Sequence, residues 1–187
     1  MKKKPLSTVV ISAALASLLT VSVVLAKFNM GEHGGGKYKT QAGQSDTAHL
    51  YLFEKDPDGW NIVKRGAWGK MRFNFSGSTF DFVFNGHGLE SNTNYTLIYY
   101  ADPWPGDNPG AYIANGTANP GGNIHLRGSI DLQLDLPDLS DENYPDGAKI
   151  WLVLSSDYDA ENKKMTAWNP TEYLFEHNLI TYDDTDV

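Results

Sequence analysis

Three acidic residues in the last third of the chain have the spacing of an oxygen-ligand site for a metal ion. Asp157, Asp159 and Glu161 stand two residues apart, as the first ligands of a calcium-binding loop do, and calcium takes about six to eight oxygen ligands. The match with an EF-hand then ends, because Asn162 stands where that loop needs glycine and Trp168 where it needs glutamate. The spacing indicates calcium, and the alternative is that these acids are solvated and bind nothing.

A second acidic group lies on a predicted polar loop over residues 131–147. Its members are Asp138, Asp141, Glu142 and Asp146. Loops rich in aspartate and asparagine supply oxygen ligands to calcium, and a weak site suffices outside the cell because calcium is abundant there. The same two interpretations, calcium ligands or solvated charge, therefore apply to this loop.

A loop rich in proline and glycine at residues 102–110 is the predicted recognition surface. Tyr99 and Tyr100 come just before it and Trp104 lies within it, where rings often stay partly exposed. Aromatic faces suit sugar rings because sugar CH groups stack on them, while neighbouring acids and amides bind the hydroxyl groups. We therefore predict a carbohydrate ligand for this surface. The alternative is that Trp104 folds back over the edge of the core.

Enzymatic chemistry finds little support in the sequence. There is no cysteine and no Gly-x-Ser-x-Gly elbow, so neither a reactive thiol nor a hydrolase serine is indicated. The five histidines are scattered, without the His-x-His or His-x-x-x-His spacing of a zinc or copper site. Paired carboxylates for glycoside hydrolysis depend on a separation in space that the sequence does not give. The chain is therefore predicted to be non-enzymatic, with a sugar-active enzyme as an alternative.

Three Asn-x-Ser/Thr sequons begin at Asn74, Asn94 and Asn115. They are candidate N-glycosylation sites, provided that the host modifies its exported proteins. A fourth asparagine, Asn169, is excluded because Pro170 follows it. Glycosylation therefore remains one expected modification of the exported chain.

The charge of the chain argues against two classes of partner. Without Lys2, Lys3 and Lys4 the chain holds 12 basic and 23 acidic residues, so its net charge is −11. Residues 131–187 alone hold 14 acidic and 3 basic residues, whereas residues 27–130 are balanced. Such a field repels nucleic acid and anionic lipid, and it attracts cations or a basic partner.

The first 26 residues have the order of a secretory signal peptide. Three lysines precede an uncharged run over residues 5–26 that ends in Val24-Leu25-Ala26, which gives a positive region, an apolar region and a small residue at the cleavage position. The alternative is an uncleaved anchor, because the 22 uncharged residues are long enough to span a bilayer. We predict cleavage, a secreted or cell-surface location, and no membrane span in the mature chain. Residues 27–46 are predicted to be a flexible leader.

Residues 47–187 have the pattern of one all-β domain that must position these groups. Phe80, Phe82 and Phe84 recur with the period of two that places side chains on one face of a strand. Turn-forming residues separate seven or more short segments of this kind, and no long helical stripe occurs. The pattern is typical of an antiparallel, immunoglobulin-like β-sandwich, with a closed barrel as the alternative. Because cysteine is absent, stability must come from a core rich in aromatic rings.

Several phrases of the chain resemble a group of exported proteins. They are GAWGKM at residues 66–71, STFDFVFNGHGLESNTNYTLIYYADPWPG at 78–106, DGAKIWLVLSSDYD at 146–159 and WNPTEYLFE at 168–176. Together they resemble, over residues 48–184, a family of secreted single-domain β-proteins of microbes that is frequent in methanogenic archaea. The resemblance implies an exported β-domain, and it carries over no activity, cofactor or site residue.

These observations predict a secreted, non-enzymatic β-sandwich module for binding, adhesion or envelope structure. Its partner would be an extracellular glycan or protein. One alternative is a carbohydrate-binding module or sugar-active enzyme that uses the loop around Trp104. Another is a structural domain that calcium stabilises through the acidic residues near Asp157.

Overall fold

The computed structural model describes residues 46–103 and 110–187. The predicted signal peptide at 1–26, the predicted leader up to residue 45 and Trp104 lie outside these described residues. The first strand begins at Thr47. Within the described ranges, no helix has the length and hydropathy that crossing a membrane requires.

Strands dominate the regular structure of the described ranges, and two short 3-10 turns, Ser155–Asp157 and Pro170–Glu172, accompany them. In chain order, the strands are β1 (Thr47–Phe53), β2 (Trp68–Asn74), β3 (Ser76–Gly77), β4 (Phe80–His87), β5 (Asn94–Tyr100), β6 (Ala111–Thr117), β7 (Ile124–Ile130), β8 (Lys149–Leu154), β9 (Tyr158–Asp159), β10 (Lys164–Met165), β11 (Leu174–Glu176) and β12 (Asp183–Asp184). The period of two predicted for β4 is present, because Phe80, Phe82 and Phe84 are buried and Asp81 is exposed.

Eight strands hydrogen-bond into one sheet in the order β6-β5-β8-β11-β1-β2-β4-β7. Every neighbouring pair in it is antiparallel. Strand β8 is buried on both faces, as its continuous apolar run from Ile150 to Val153 predicts. The edge strands β6 and β7 approach each other, and a Cβ atom added at Gly116 of β6 would lie 2.7 Å from Leu126 Cδ2 of β7. The sheet is therefore curled until it nearly closes.

The inner face of the curled sheet holds the main core. Strands on opposite sides contribute its large rings, among them Tyr95, Tyr99 and Phe84, which are fully buried. The C-terminal segment adds Tyr182, whose ring packs edge-on against Phe80 with centroids 5.2 Å apart. Because each buried ring removes ~150–250 Å² from water, this core supplies the stability that disulfides give to small secreted domains.

A second apolar cluster lies on the outer face of β5, β8 and β11. The segment 155–173 contributes to it, so the cluster is a small core between the sheet and this segment. Its buried members are Ile98, Tyr100, Trp151, Val153, Tyr158, Met165, Tyr173 and Phe175. At its border, aromatic side chains emerge into solvent.

The predicted antiparallel all-β class is confirmed. Its finer form, an immunoglobulin-like sandwich, is not confirmed, because eight strands form one sheet with nearly meeting edges. Strand β1 pairs with both β2 and β11 and so joins the early and late parts of the chain. Periodicity gives the strands and their faces, but it does not say which strands become neighbours.

Candidate functional site

Of the three acids predicted to bind calcium near residue 157, Asp157 is buried and takes part in hydrogen bonds within the fold. Asp157 is 5 % exposed, and its carboxylate accepts hydrogen bonds from Tyr173 Oη at 2.5 Å, Asn169 Nδ2 at 2.8 Å and Ser156 Oγ at 2.9 Å. Burial by itself would raise the pKa of Asp157, but these hydrogen bonds outweigh it, so the pKa lies below its ordinary value. Asp157 is therefore a satisfied structural carboxylate beneath the segment 155–173.

Asp159 and Glu161 do not join Asp157 in a ligand cluster. Asp159 accepts hydrogen bonds from the Asn162 side chain at 2.6 Å and from the backbone N–H groups of Glu161 and Asn162. The Asn162 amide is the main cause of a lowered pKa at Asp159. Among the described residues, the acidic side chains whose oxygens lie close enough together to hold a metal ion do not include these three. Asp159 instead stabilises a turn, because its carboxylate accepts from the backbone N–H groups that follow it.

The second predicted acidic group also serves the fold. Asp141 is 3 % exposed and accepts hydrogen bonds from Tyr99 Oη at 2.6 Å and from the backbone and side chain of Asn143. Asp138 accepts from the backbone N–H and hydroxyl of Ser140. Asp138, Asp141, Glu142 and Asp146 lie in a loop that is ordered by its own hydrogen bonds. Among the described residues, their carboxylates do not form a group close enough to hold a metal ion.

The expectation of partly exposed rings at Tyr99 and Tyr100 is wrong. Tyr99 is 0 % exposed and points into the main core, and Tyr100 is 7 % exposed. The Tyr100 ring stacks on Trp151 with centroids 3.8 Å apart. Both tyrosines belong to strand β5, whose two faces are covered, so the loop that follows does not set their exposure. Trp104 lies outside the described residues.

The three sequon asparagines differ in their surroundings. The amide of Asn74 donates to the backbone oxygens of Ser76 and Thr79 and is half-buried. Asn94 accepts a hydrogen bond from Thr117 Oγ1 at 2.6 Å, and it is exposed, as is Asn115. Attachment of a glycan is compatible with the fold at Asn94 and Asn115, whereas at Asn74 it would disturb an ordered turn.

Two exposed tryptophans, Trp60 and Trp168, pack against members of the second cluster. They are 43 % and 42 % exposed, and their rings lie 14° from parallel with centroids 6.3 Å apart. Trp60 rests on Phe175 at 4.7 Å, and Trp168 rests on Trp151 at 5.7 Å. We name these four residues the aromatic surface. Their buried members form a rigid base on which two tryptophan rings are presented to solvent.

The backbone of Trp60 is strained in a way that presents this ring. Its φ is 56°, a left-handed conformation that is unfavourable for a bulky residue and costs about 1–3 kcal/mol. A tight turn holds it there, because the backbone N–H of Trp60 donates to Asp56 O at 2.7 Å and that of Asp56 donates to Asn61 O at 2.8 Å. The turn therefore fixes the position of the exposed Trp60 ring.

Two charged groups flank the aromatic surface. Trp151 Nε1 donates to Glu176 Oε2 at 2.5 Å, and Lys55 Nζ lies 5.6 Å from the centre of the Trp60 ring, within cation–π range. Burial raises the pKa of Glu176. Burial also lowers the pKa of Lys55, although the nearby Glu176 works against that change. The surface thus offers flat apolar rings beside a hydrogen-bonding carboxyl group and an ammonium group.

Sequence reasoning missed the aromatic surface for a definite reason. Trp60 follows the turn Asp56-Pro57-Asp58-Gly59, and Trp168 precedes Asn169-Pro170, so each tryptophan stands beside turn-forming residues. That position was an available signal for an exposed ring. Nothing in the sequence indicated that the two rings would meet, because they come from distant segments.

A second group that sequence reasoning missed lies at the C-terminal end of the described chain. One carboxylate oxygen from each of Asp131, Asp184 and Asp186 lies within 4.8 Å of the others. We name these three residues the acidic corner. Carboxylate oxygens so arranged are suited to a hard cation such as calcium.

No known protein family, no curated protein and no solved structure matches this chain. The resemblance to exported microbial β-proteins therefore stays a prediction. The function must be inferred from the aromatic surface and the acidic corner themselves.

Proposed function

We propose that this protein is an exported, non-enzymatic β module that binds carbohydrate at the aromatic surface. The observation that carries the proposal is the pair of half-exposed, nearly parallel tryptophan rings, Trp60 and Trp168. Sugar CH groups stack on such faces, and the small loss of side-chain freedom on binding favours rigid rings over flexible side chains. The ligand class is the one predicted for the Trp104 loop, now proposed for different residues.

The polar groups beside the rings supply the directional part of recognition. Glu176 and Lys55 flank Trp151 and Trp60, so a sugar ring lying on the tryptophans has a carboxyl group and an ammonium group available for its hydroxyls. Ligand sites commonly combine a largely apolar lining with a few placed polar groups. The aromatic surface has this composition.

Binding is proposed in preference to glycoside hydrolysis. Hydrolysis uses two carboxyl groups on either side of the scissile bond. At the aromatic surface, the charged groups that act on Glu176 are the cations Lys55 and Lys149. The Glu176 carboxyl group beside these cations is suited to holding hydroxyl groups. Together with the signal-like residues 1–26, this supports a role in cell-surface binding or adhesion.

The test is affinity electrophoresis of residues 27–187 through gels that contain soluble polysaccharides, followed by titration with the retarding glycan. Trp60→Asn removes the ring yet tolerates the left-handed backbone, since asparagine adopts it readily. We expect Trp60→Asn and Trp168→Ala to weaken glycan binding about 10-fold or more, because each removes one stacking face.

Trp68→Ala is the matched control. Trp68 is 40 % exposed, like the other two tryptophans, but its ring contacts His87 on a different part of the sheet. We expect its glycan binding to be unchanged. Circular dichroism of Trp60→Asn checks that the fold is retained. Wild-type protein that binds no polysaccharide, or a folded Trp60→Asn variant with unchanged affinity, would overturn the proposal.

A further inference from the structure

The acidic corner forms where the C-terminal segment returns to the sheet. Asp131 directly follows β7, and Asp184 is the last residue of β12. Strand β12 pairs in parallel with β3, with Asp184 opposite Gly77. The backbone N–H of Asp184 donates to Asp135 Oδ1 at 2.8 Å, which holds the segment in place. Long-range pairing therefore brings like charges from separate segments within 4.8 Å of one another.

Asp184 is the buried member of the acidic corner. It is 3 % exposed, and its Oδ1 accepts a long hydrogen bond, 3.5 Å, from the backbone N–H of Asp186. Its Oδ2 is buried and receives no hydrogen bond from the described residues. A buried carboxylate oxygen without a donor is strongly unfavourable unless another group compensates its charge. This oxygen therefore needs a positively charged partner.

No basic side chain supplies that compensation within the described ranges. The ion pair between Lys149 and Asp102 lies elsewhere, since neither residue belongs to the acidic corner. One carboxylate oxygen of Asp186 lies within 4.8 Å of those of Asp131 and Asp184, so Asp186 adds like charge instead of compensating it. A cation placed among the three carboxylates would supply the missing compensation.

The wider surroundings are negative as well. Four carboxylates lie close enough to the Tyr182 hydroxyl for their charges to act on it. These carboxylates belong to Asp81, Asp131, Asp184 and Asp186. The potential at this end of the sheet therefore attracts a cation beyond what the three ligands alone would do.

We propose that the acidic corner, Asp131, Asp184 and Asp186, binds a calcium ion that fastens the C-terminal strand to the end of β7. The donor set is oxygen only, which suits a hard cation. Calcium accepts irregular, partly hydrated coordination by carboxylates, whereas magnesium demands near-ideal octahedral geometry. The site is distinct from the aromatic surface and does not depend on carbohydrate binding.

The test is thermal unfolding of residues 27–187 in EDTA and in calcium, with isothermal titration to give affinity and stoichiometry. We expect one calcium ion per chain and a Tm rise of roughly 5–10 °C when calcium is present at about 100 times its Kd. Asp131→Asn and Asp186→Asn should each weaken calcium binding about 10-fold or more. Both residues are exposed, so these variants are expected to fold.

Two charge-matched controls make the test specific. Asp183→Asn removes the same charge from the neighbouring residue, which lies outside the group, and Asp159→Asn removes the predicted ligand near residue 157. Both should keep the calcium-dependent rise in Tm. The proposal is overturned if the unfolding curves in calcium and EDTA coincide or if Asp186→Asn keeps the calcium-dependent rise in Tm. It is also overturned if Asp183→Asn loses as much of that rise as Asp186→Asn does. Equal stabilisation by magnesium would overturn the choice of calcium.

Discussion

Three aspartates are buried in the described residues, and two of them differ from the third in their hydrogen-bond donors. Asp141 and Asp157 are 3 % and 5 % exposed, and Asp184 is 3 % exposed. Asp157 accepts from a tyrosine hydroxyl and an asparagine amide, as Asp141 does. Asp184 has an oxygen with no donor in the described ranges and two carboxylates as neighbours.

This difference teaches how to distinguish a structural acid from a candidate ligand. A buried carboxylate with several donors is stabilised in its charged form, and removing it leaves those donors unsatisfied. A buried carboxylate that lacks donors is itself the unsatisfied group. Exposure alone, which is nearly equal for the three aspartates, does not separate the two cases.

The largest effect is expected at Asp157. Asp157→Asn replaces a charged acceptor of three side-chain hydrogen bonds by a neutral amide, and it should lower the free energy of unfolding by about 2 kcal/mol. Urea unfolding in EDTA measures it. Tyr173→Phe, which removes one of the donors, should give a smaller loss. A loss below about 0.5 kcal/mol for Asp157→Asn would show that these hydrogen bonds contribute little.

The matching substitution at Asp184 should have the opposite sign. In EDTA, Asp184→Asn removes an uncompensated buried charge and should raise the free energy of unfolding by about 1 kcal/mol. In saturating calcium the same variant should lose the stabilisation that the metal gives to the wild type. Urea unfolding in both buffers measures the two differences. If Asp184→Asn lowered the free energy of unfolding in EDTA as much as Asp157→Asn does, the proposed difference between the two aspartates would be wrong.

Glu176 is an intermediate case, and we expect the smallest effect there. Burial raises its pKa, so the folded state holds the proton to higher pH than the unfolded chain does. Stability is therefore lost as pH rises from the ordinary value of 4.5 through the folded pKa. Glu176→Gln keeps an acceptor for Trp151 Nε1 and should be more stable than the wild type at pH 7, on the order of 0.5 kcal/mol.

The measurement for Glu176 is the Tm of both proteins between about pH 4 and pH 7. The difference between them should widen as pH rises, because only the wild type acquires the buried charge. The cations that face Glu176 are Lys55 and Lys149. A constant difference in Tm would mean that Glu176 has the same pKa in the folded and unfolded states.

Local patterns in the sequence were sufficient to predict strands such as β4 and β8. The alternating rings of β4 and the continuous apolar run of β8 have the burial that they predict, because side-chain direction in a strand follows directly from residue spacing. The same rule places Tyr99 beside Tyr95 and Leu97 on the inner face of β5. The predicted exposure of the Tyr99 ring is wrong because it rested on the neighbouring loop and not on the alternation within the strand.

The candidate sites could not be predicted in this way. The acidic spacing at Asp157, Asp159 and Glu161 is a local feature, and the structure uses it for a turn and a buried hydrogen-bonded group. The acids that do converge, Asp131, Asp184 and Asp186, share no spacing rule across the two segments that supply them. Acidic residues are abundant enough in this chain that local coincidences of spacing are expected by chance.

The sequence by itself determined the all-β class, the positions of longer strands such as β4 and β8, and the excess of negative charge in the last third of the chain. These are properties of residue type and short-range spacing. Only the tertiary structure decided that Trp60 meets Trp168 and that Asp131 meets Asp184, because these contacts depend on how β11 and β12 pair with early strands. Pairing between distant segments is set by the packing of the whole core, which no local period encodes.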